Sequence, residues 1–228
     1  MEHINIENQE KLWEKHFEVG TYDEKYPSEQ VVRFLFRFLK SKMVETNGLK
    51  ALDLGCGPGR HLSLFAENGL NTYGCDLANS ALISAKKYLS TKNLSAELIQ
   101  TTLTKLPYKN NFFDIILSFG VLDHVSYDDA ILGVEETFRC LKPGGQIYFK
   151  LEGVDSPGVG EGKLIGDDLY ILKGDCENNM IQHFFTRERV FELFSKFKIL
   201  NFEKEIITDI LNDDCDVLIA RWHIIAEK

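Results

Sequence analysis

Gly55, Gly57 and Gly59 follow directly on a short apolar run, Leu49 to Leu54, that carries a single acid, Asp53. The run predicts a buried parallel strand. The glycines predict a tight turn. His61 to Asn68, with Leu62, Leu64, Phe65 and Ala66, predicts a helix that Gly69 closes as a left-handed cap. A glycine turn between strand and helix lets a ligand approach the backbone closely, with helix N–H groups pointing at it. Such a unit constrains the chain to an α/β fold with a nucleotide-type cofactor site.

The spacing narrows the cofactor. A dinucleotide fingerprint reads G-x-G-x-x-G and holds a pyrophosphate. Here the pattern is G-x-G-x-G, with Arg60 where the third glycine would stand. A second strand, Asn71 to Cys75, ends on Asp76, one βαβ step after Asp53. A carboxylate there can accept from both ribose hydroxyls, which by itself fits NAD as well. Leu77 reads as an apolar contact to an adenine. Asn79 or Ser80 is placed to cap the next helix, Ala81 to Leu89.

Leu-Asp-Leu-Gly-Cys-Gly-Pro-Gly resembles motif I of the class I S-adenosylmethionine (SAM) dependent methyltransferases. The resemblance is close over roughly residues 45 to 150 and loose beyond. It implies a loop that wraps the methionine end of SAM, with Asp53, Gly55, Cys56, Gly57 and Gly59 around it and Asp76 on the ribose. Arg60 then meets either the cofactor carboxylate or a surface acid. Thr101-Thr-Leu-Thr-Lys-Leu-Pro107 resembles the segment where the family places an acid against the adenine amino group; this chain has Thr102 there, with the Leu103 N–H beside it. Asn110 to Phe119 matches the family's fourth strand and brings Phe119 to the cofactor. Gly120-Val-Leu-Asp-His-Val125 resembles the following segment, which often carries a histidine near the transfer site. Asp123 and His124 therefore face the acceptor, or His124 only satisfies a loop carbonyl. Leu141-Lys-Pro-Gly-Gly-Gln146 is the family's turn into strand five.

The resemblance implies a Rossmann-like, doubly wound, seven-stranded sheet whose last strand runs antiparallel. Residues 1–47 form an N-terminal helical cap and 48–228 the methyltransferase domain. Two amphipathic helices lie in the cap, Asn8 to Gly20 and one starting after Ser28, whose hydroxyl is placed as its cap. Trp13, Tyr22 and Tyr26 are acceptor-wall candidates, with plain packing as the other reading. A helix starting at Asp128 or Asp129 runs to Cys140. Residues 153–180, rich in glycine and acids, form an irregular insert after strand five of the kind that carries acceptor recognition. Leu169 to Leu172 and Met180 to Phe185 are expected to pair as a hairpin. His183 either reaches the acceptor or is a buried structural histidine. Thr186 caps the last helix, Arg189 to Phe197, and strands over 197–206 and 215–226 complete the sheet.

Composition excludes several classes. The formal net charge is −9, and no local basic patch offsets it, so a nucleic-acid partner is not expected. Five cysteines without C-x-x-C spacing predict reduced thiols in a cytoplasmic protein, with neither disulfides nor zinc. No calcium-type spacing appears, so no metal is expected. The polar, acidic start reads as no signal peptide, and no apolar run is long enough to span a membrane. The sequence thus points to a SAM-dependent methyltransferase acting on an O or N of a small polar acceptor such as a sugar or a phosphorylated metabolite. An NAD-dependent oxidoreductase and a catalytically silent SAM-binding subunit are the rivals.

Overall fold

Strand β1 (Lys50–Leu54) is apolar on both faces because helices cover the sheet on both sides. In the computed structural model it pairs in parallel with β2 (Asn71–Asp76) on one side and β4 (Phe113–Phe119) on the other. The full sheet has the order β3-β2-β1-β4-β5-β10-β9, where β3 is Glu97–Gln100, β5 Leu141–Glu152, β9 Lys198–Thr208 and β10 Val217–Glu227. β10 is antiparallel to both neighbours, β5 and β9, as expected for the last strand. The structure describes residues 6–20, 24–42, 46, 48–173, 179–209 and 217–228; Tyr22, Cys176 and Cys215 lie outside them.

Strand periodicity sorts the core into two layers. Ala51, Ile115, Leu117 and Tyr148 face α2 (Glu29–Lys42) and α3 (Arg60–Glu67), where Phe34, Phe38 and Phe65 are buried against them. Leu52, Ile116, Ile147 and Phe149 face the other way, toward α5 (Tyr127–Cys140) and α6 (Arg187–Leu193). Strand order reverses at β1, so the loops leaving β1 and β4 diverge and open a crevice at the carboxyl ends of the strands.

Several helix starts differ from expectation in what caps them. For α4 (Asn79–Thr91) neither Asn79 nor Ser80 is the cap. The Glu14 carboxylate, on α1 (Ile6–Glu18), accepts from the Asn79 and Ser80 N–H groups at 2.6 and 2.9 Å. An anion at that position also favours the positive end of the helix dipole. α5 starts at Tyr127, before either aspartate expected to open it, and Ser126 caps it by accepting from the Asp129 N–H at 3.1 Å. The Ser28 hydroxyl donates to Gln30 Oε1 instead of accepting from the first turn of α2. Thr186 caps α6 as expected, although the helix starts at Arg187 and ends at Leu193.

The insert after β5 is more ordered than its composition suggests. β7 (Leu169–Ile171) and β8 (Ile181–His183) pair antiparallel in the expected hairpin. A further strand, β6 (Lys163–Gly166), extends it to a three-stranded sheet. β6 is short, mostly exposed and flanked by glycines, so it carries no alternation to read. The Trp222 indole, donating to the Phe185 carbonyl at 2.8 Å, ties the insert to β10.

Gly55 has φ +70°, and a Cβ there would stand 2.3 Å from a Val121 methyl; Gly160 has φ +83° and open space around it. Gly160→Ala should cost about 1 kcal/mol through backbone strain alone. Gly55→Ala should cost about 2–4 kcal/mol, because strain and overpacking add. Urea midpoints at unchanged slope measure both.

Candidate active site

A cavity of about 720 Å³ opens at the carboxyl ends of β1, β2, β4 and β5. Its floor is the glycine loop, and the loop's donors are already spent. Gly55 and Cys56 both donate to the Cys75 carbonyl, at 2.8 and 2.9 Å. The Gly57 N–H donates to Asp76 Oδ2 at 2.9 Å, and Gly59 donates to the Cys56 carbonyl. A pyrophosphate needs such N–H groups free. This loop fits a cofactor that brings no phosphate to it.

Asp76 lines the cavity from the tip of β2, and its Oδ1 also accepts from the Ala78 N–H at 3.0 Å. Burial pushes its pKa up to about 6, against the pull of the backbone donors at Ala78, Gly57 and Leu77. Each carboxylate oxygen keeps a further lone pair, which suits a ribose diol. Leu77, Thr102 and Leu103 line the same end, where Thr102 and Thr104 share a hydroxyl contact of 3.1 Å. Phe119 lies across from them beside His61, with ring centroids 5.2 Å apart. Burial pushes His61 down to about 3, so it is neutral, and its Nε2 accepts from the Ser28 N–H at 3.3 Å. Arg60 stacks over Phe119 at 5.2 Å and pairs with Glu24, so it meets an acid of the chain while still lining the cavity.

Other expected contacts lie elsewhere. Asp53 is 1 % exposed, sits beneath the loop outside the cavity lining, and burial drives its pKa well up. Gly59 is also outside the lining; a Cβ there would meet Ala85 at 3.1 Å, so this glycine serves the close packing of α3 on α4. Tyr26 is 86 % exposed and off the cavity, because the chain turns outward before α2. His183 is fully buried, stacked on Phe185 at 4.2 Å and edge-on to Tyr127. Burial pushes it down to about 4, and it does not reach the cavity lining. Of the two readings open for His183, the structure supports the buried one.

Trp13 does line the cavity, on α1, together with Phe17 one turn further on. Phe17 covers Gly57, whose Cβ position lies 3.6 Å from the ring. Trp13 meets His124 edge-on at 4.8 Å. His124 lies on a 3-10 turn, Leu122–His124, after β4. Its Nδ1 is 2.8 Å from the Ile181 carbonyl. A carbonyl only accepts, so Nδ1 carries the proton and Nε2 is left as an acceptor. His124 thus satisfies a carbonyl of β8, not of a loop, and lines the cavity at once. Asp123 is 1 % exposed and engaged: Oδ1 accepts from the Glu152 N–H at 2.7 Å, and Oδ2 faces Lys150 Nζ at 3.4 Å. Burial raises its pKa more than Lys150 lowers it.

Lys150, Glu152, Ser156, Gln182 and Arg221 also line the cavity, and none was expected there. Two of them did leave a trace. Lys150 and Arg221 each interrupt an otherwise apolar strand run, in Tyr148-Phe-Lys-Leu151 and Ile219-Ala-Arg-Trp222. A cation inside such a run needs a partner or a cavity.

Fold and site define a Rossmann-like protein built for a nucleoside cofactor without a pyrophosphate. Residues 52–149 match the methyltransferase-domain family. Over 101 residues the chain is 36% identical to a ubiquinone biosynthesis O-methyltransferase of Bartonella bacilliformis, covering 44% of this chain and 40% of that one. The chain therefore spans about two fifths of the length of that relative. A SAM-dependent methyltransferase of Methanosarcina mazei shares the fold at TM-score 0.68 and 22% identity, covering 83% of this chain and 96% of that one. One from Clostridium acetobutylicum does so at 0.68 and 16%, covering 98% and 99%. Residues 52–149 therefore carry a methyltransferase domain, on the fold that SAM-dependent methyltransferases share. No helix among the described residues is long and apolar enough to cross a membrane.

With SAM, Asp76→Ala should weaken binding at least about tenfold, from the loss of charge-assisted hydrogen bonds to the ribose. Wild-type affinity should fall as pH drops below about 6 and the carboxylate takes a proton, while the variant stays flat. Calorimetric titration across pH measures both. In the free protein the sign is opposite. A raised carboxyl pKa stabilises the fold below the unfolded value, and that increment is lost as pH rises through about 6.

Proposed function

We propose that this chain transfers a methyl group from SAM to an oxygen or nitrogen of a small polar metabolite. Sugars and phosphorylated intermediates are the first classes to try. The observation that carries this reading is the loop at Gly55–Gly57, whose N–H groups are used internally beside a buried carboxylate at Asp76. The NAD reading would need those N–H groups for a pyrophosphate.

SAM supplies the electrophilic methyl group, so the protein's work is alignment and exclusion of water. Trp13 and Phe17 roof the cavity and shield it from solvent. His124 presents Nε2 as the base for a hydroxyl or protonated amine, held in that tautomer by the Ile181 carbonyl. Asp123 acts as the positioning group that fixes Lys150 and the end of β5. The net charge of −9 supports a small molecule over a phosphate-backbone polymer as acceptor.

Labelled methyl transfer from SAM into a fractionated metabolite extract tests the reading. His124→Ala should reduce transfer by about 10²–10⁴-fold, the usual worth of a general base. SAM affinity should stay within about twofold, and His183→Asn should lower the melting temperature without a comparable loss of rate. SAM binding with no transfer to any fraction would favour the silent-subunit reading.

A further inference from the structure

Hydrogen bonding among Asp123, Lys150, Glu152 and Arg221 in the cavity wall leaves donors over at Arg221. Asp123 accepts from the Glu152 N–H and faces Lys150. Glu152 Oε1 takes both Lys150 Nζ and Arg221 Nε, the latter at 2.9 Å, while Oε2 shares the single Ser156 hydroxyl hydrogen with the Ala220 carbonyl. Three of the four carboxylate oxygens of this pair thus have a donor of their own, and the fourth shares one. Arg221, by contrast, spends only Nε; neither Nη1 nor Nη2 donates to any described residue.

The geometry around Arg221 is that of a receptor. It lies on β10 directly across from Glu152 on β5. Its side chain is 32% exposed and lines the cavity. Tethered at Nε and open at its tip, a guanidinium presents two coplanar N–H donors, a fork that matches an oxyanion. A neutral hydroxyl would use one donor and leave the other unpaired. Long-range charge does not drive the recognition, since acids outnumber bases along the cavity. The short-range bidentate contact does.

We infer that Arg221 binds an oxyanion, a carboxylate or a phosphate, carried by the methyl acceptor. This rests on the methyltransferase reading, because that reading places the acceptor's other end at His124 Nε2. The acceptor class is then a small acid that also bears a hydroxyl or amine. Ser156, which reaches Glu152 and the carbonyl of the residue before Arg221, lines the cavity with it.

The test is calorimetric titration of malonate, inorganic phosphate and glycerol into protein saturated with S-adenosylhomocysteine, so that the cofactor's own carboxylate site is filled. One of the two anions should bind and glycerol should not; which anion binds identifies carboxylate or phosphate. Arg221→Gln should lose at least tenfold in anion affinity while holding S-adenosylhomocysteine within twofold of wild type. Arg221→Lys, which keeps the charge and loses the fork, should lose anion affinity too, and it carries the comparison if the glutamine variant unfolds. Anion binding unchanged in both variants, no anion binding to wild type, or cofactor affinity falling in parallel would each overturn the assignment. Failure of wild type to bind S-adenosylhomocysteine would instead remove the parent reading, and the anion titration could still be run on the free protein.

Discussion

The Asp76 carboxylate holds the site together before any ligand arrives. It closes on the Gly57 and Ala78 N–H groups, while the carbonyl of the preceding residue, Cys75, takes those of Gly55 and Cys56. The tip of β2 therefore folds the loop that follows β1. The glycines make this possible, since Gly55 and Gly57 stand at φ +70° and +50°. A loop satisfied by its own neighbours needs no reorganisation to receive a cofactor, which lowers the cost of binding. Burial without a counter-ion makes the carboxylate costly to ionise, a cost that further hydroxyl donors would relieve.

Helix α1 depends on the same corner. Glu14 caps α4 just beyond Asp76, Phe17 covers Gly57, and Trp13 meets His124 on the other side of the crevice. Gln9 reaches the insert, accepting from the Ile181 N–H at 3.3 Å. Ile181 in turn offers its carbonyl to His124. One short helix thus joins the Asp76 end of the cavity to the His124 end. Its own sequence shows only an aromatic stripe.

Much of the fold was legible because local pattern and tertiary demand agree. The apolar runs at Leu49–Leu54 and Asp114–Phe119 became central strands, and Asp76 lines the cavity where one βαβ step put it. The hairpin between Leu169 and His183 and the Thr186 cap were legible for the same reason. Residue type gave less where one residue can serve two tasks. Gly59 and Asp53 sit in the cofactor motif, yet one packs against Ala85 and the other lies buried below the loop. His183 and Tyr26 looked like site residues by type, but only burial and exposure separate them from His124 and Trp13.

By itself the sequence determined the class of fold and the cofactor-binding corner. Those features depend on periodicity, glycine placement and short-range spacing, all written locally along the chain. The tertiary structure alone decided which groups meet across the cavity: Glu14 with α4, His124 with Ile181, and Arg221 with Glu152 and Lys150. These partners are far apart in sequence and carry no local pattern. They come together because sheet register and the reversal at β1 bring their backbones to one crevice, where hydrogen-bond demand then selects the contacts.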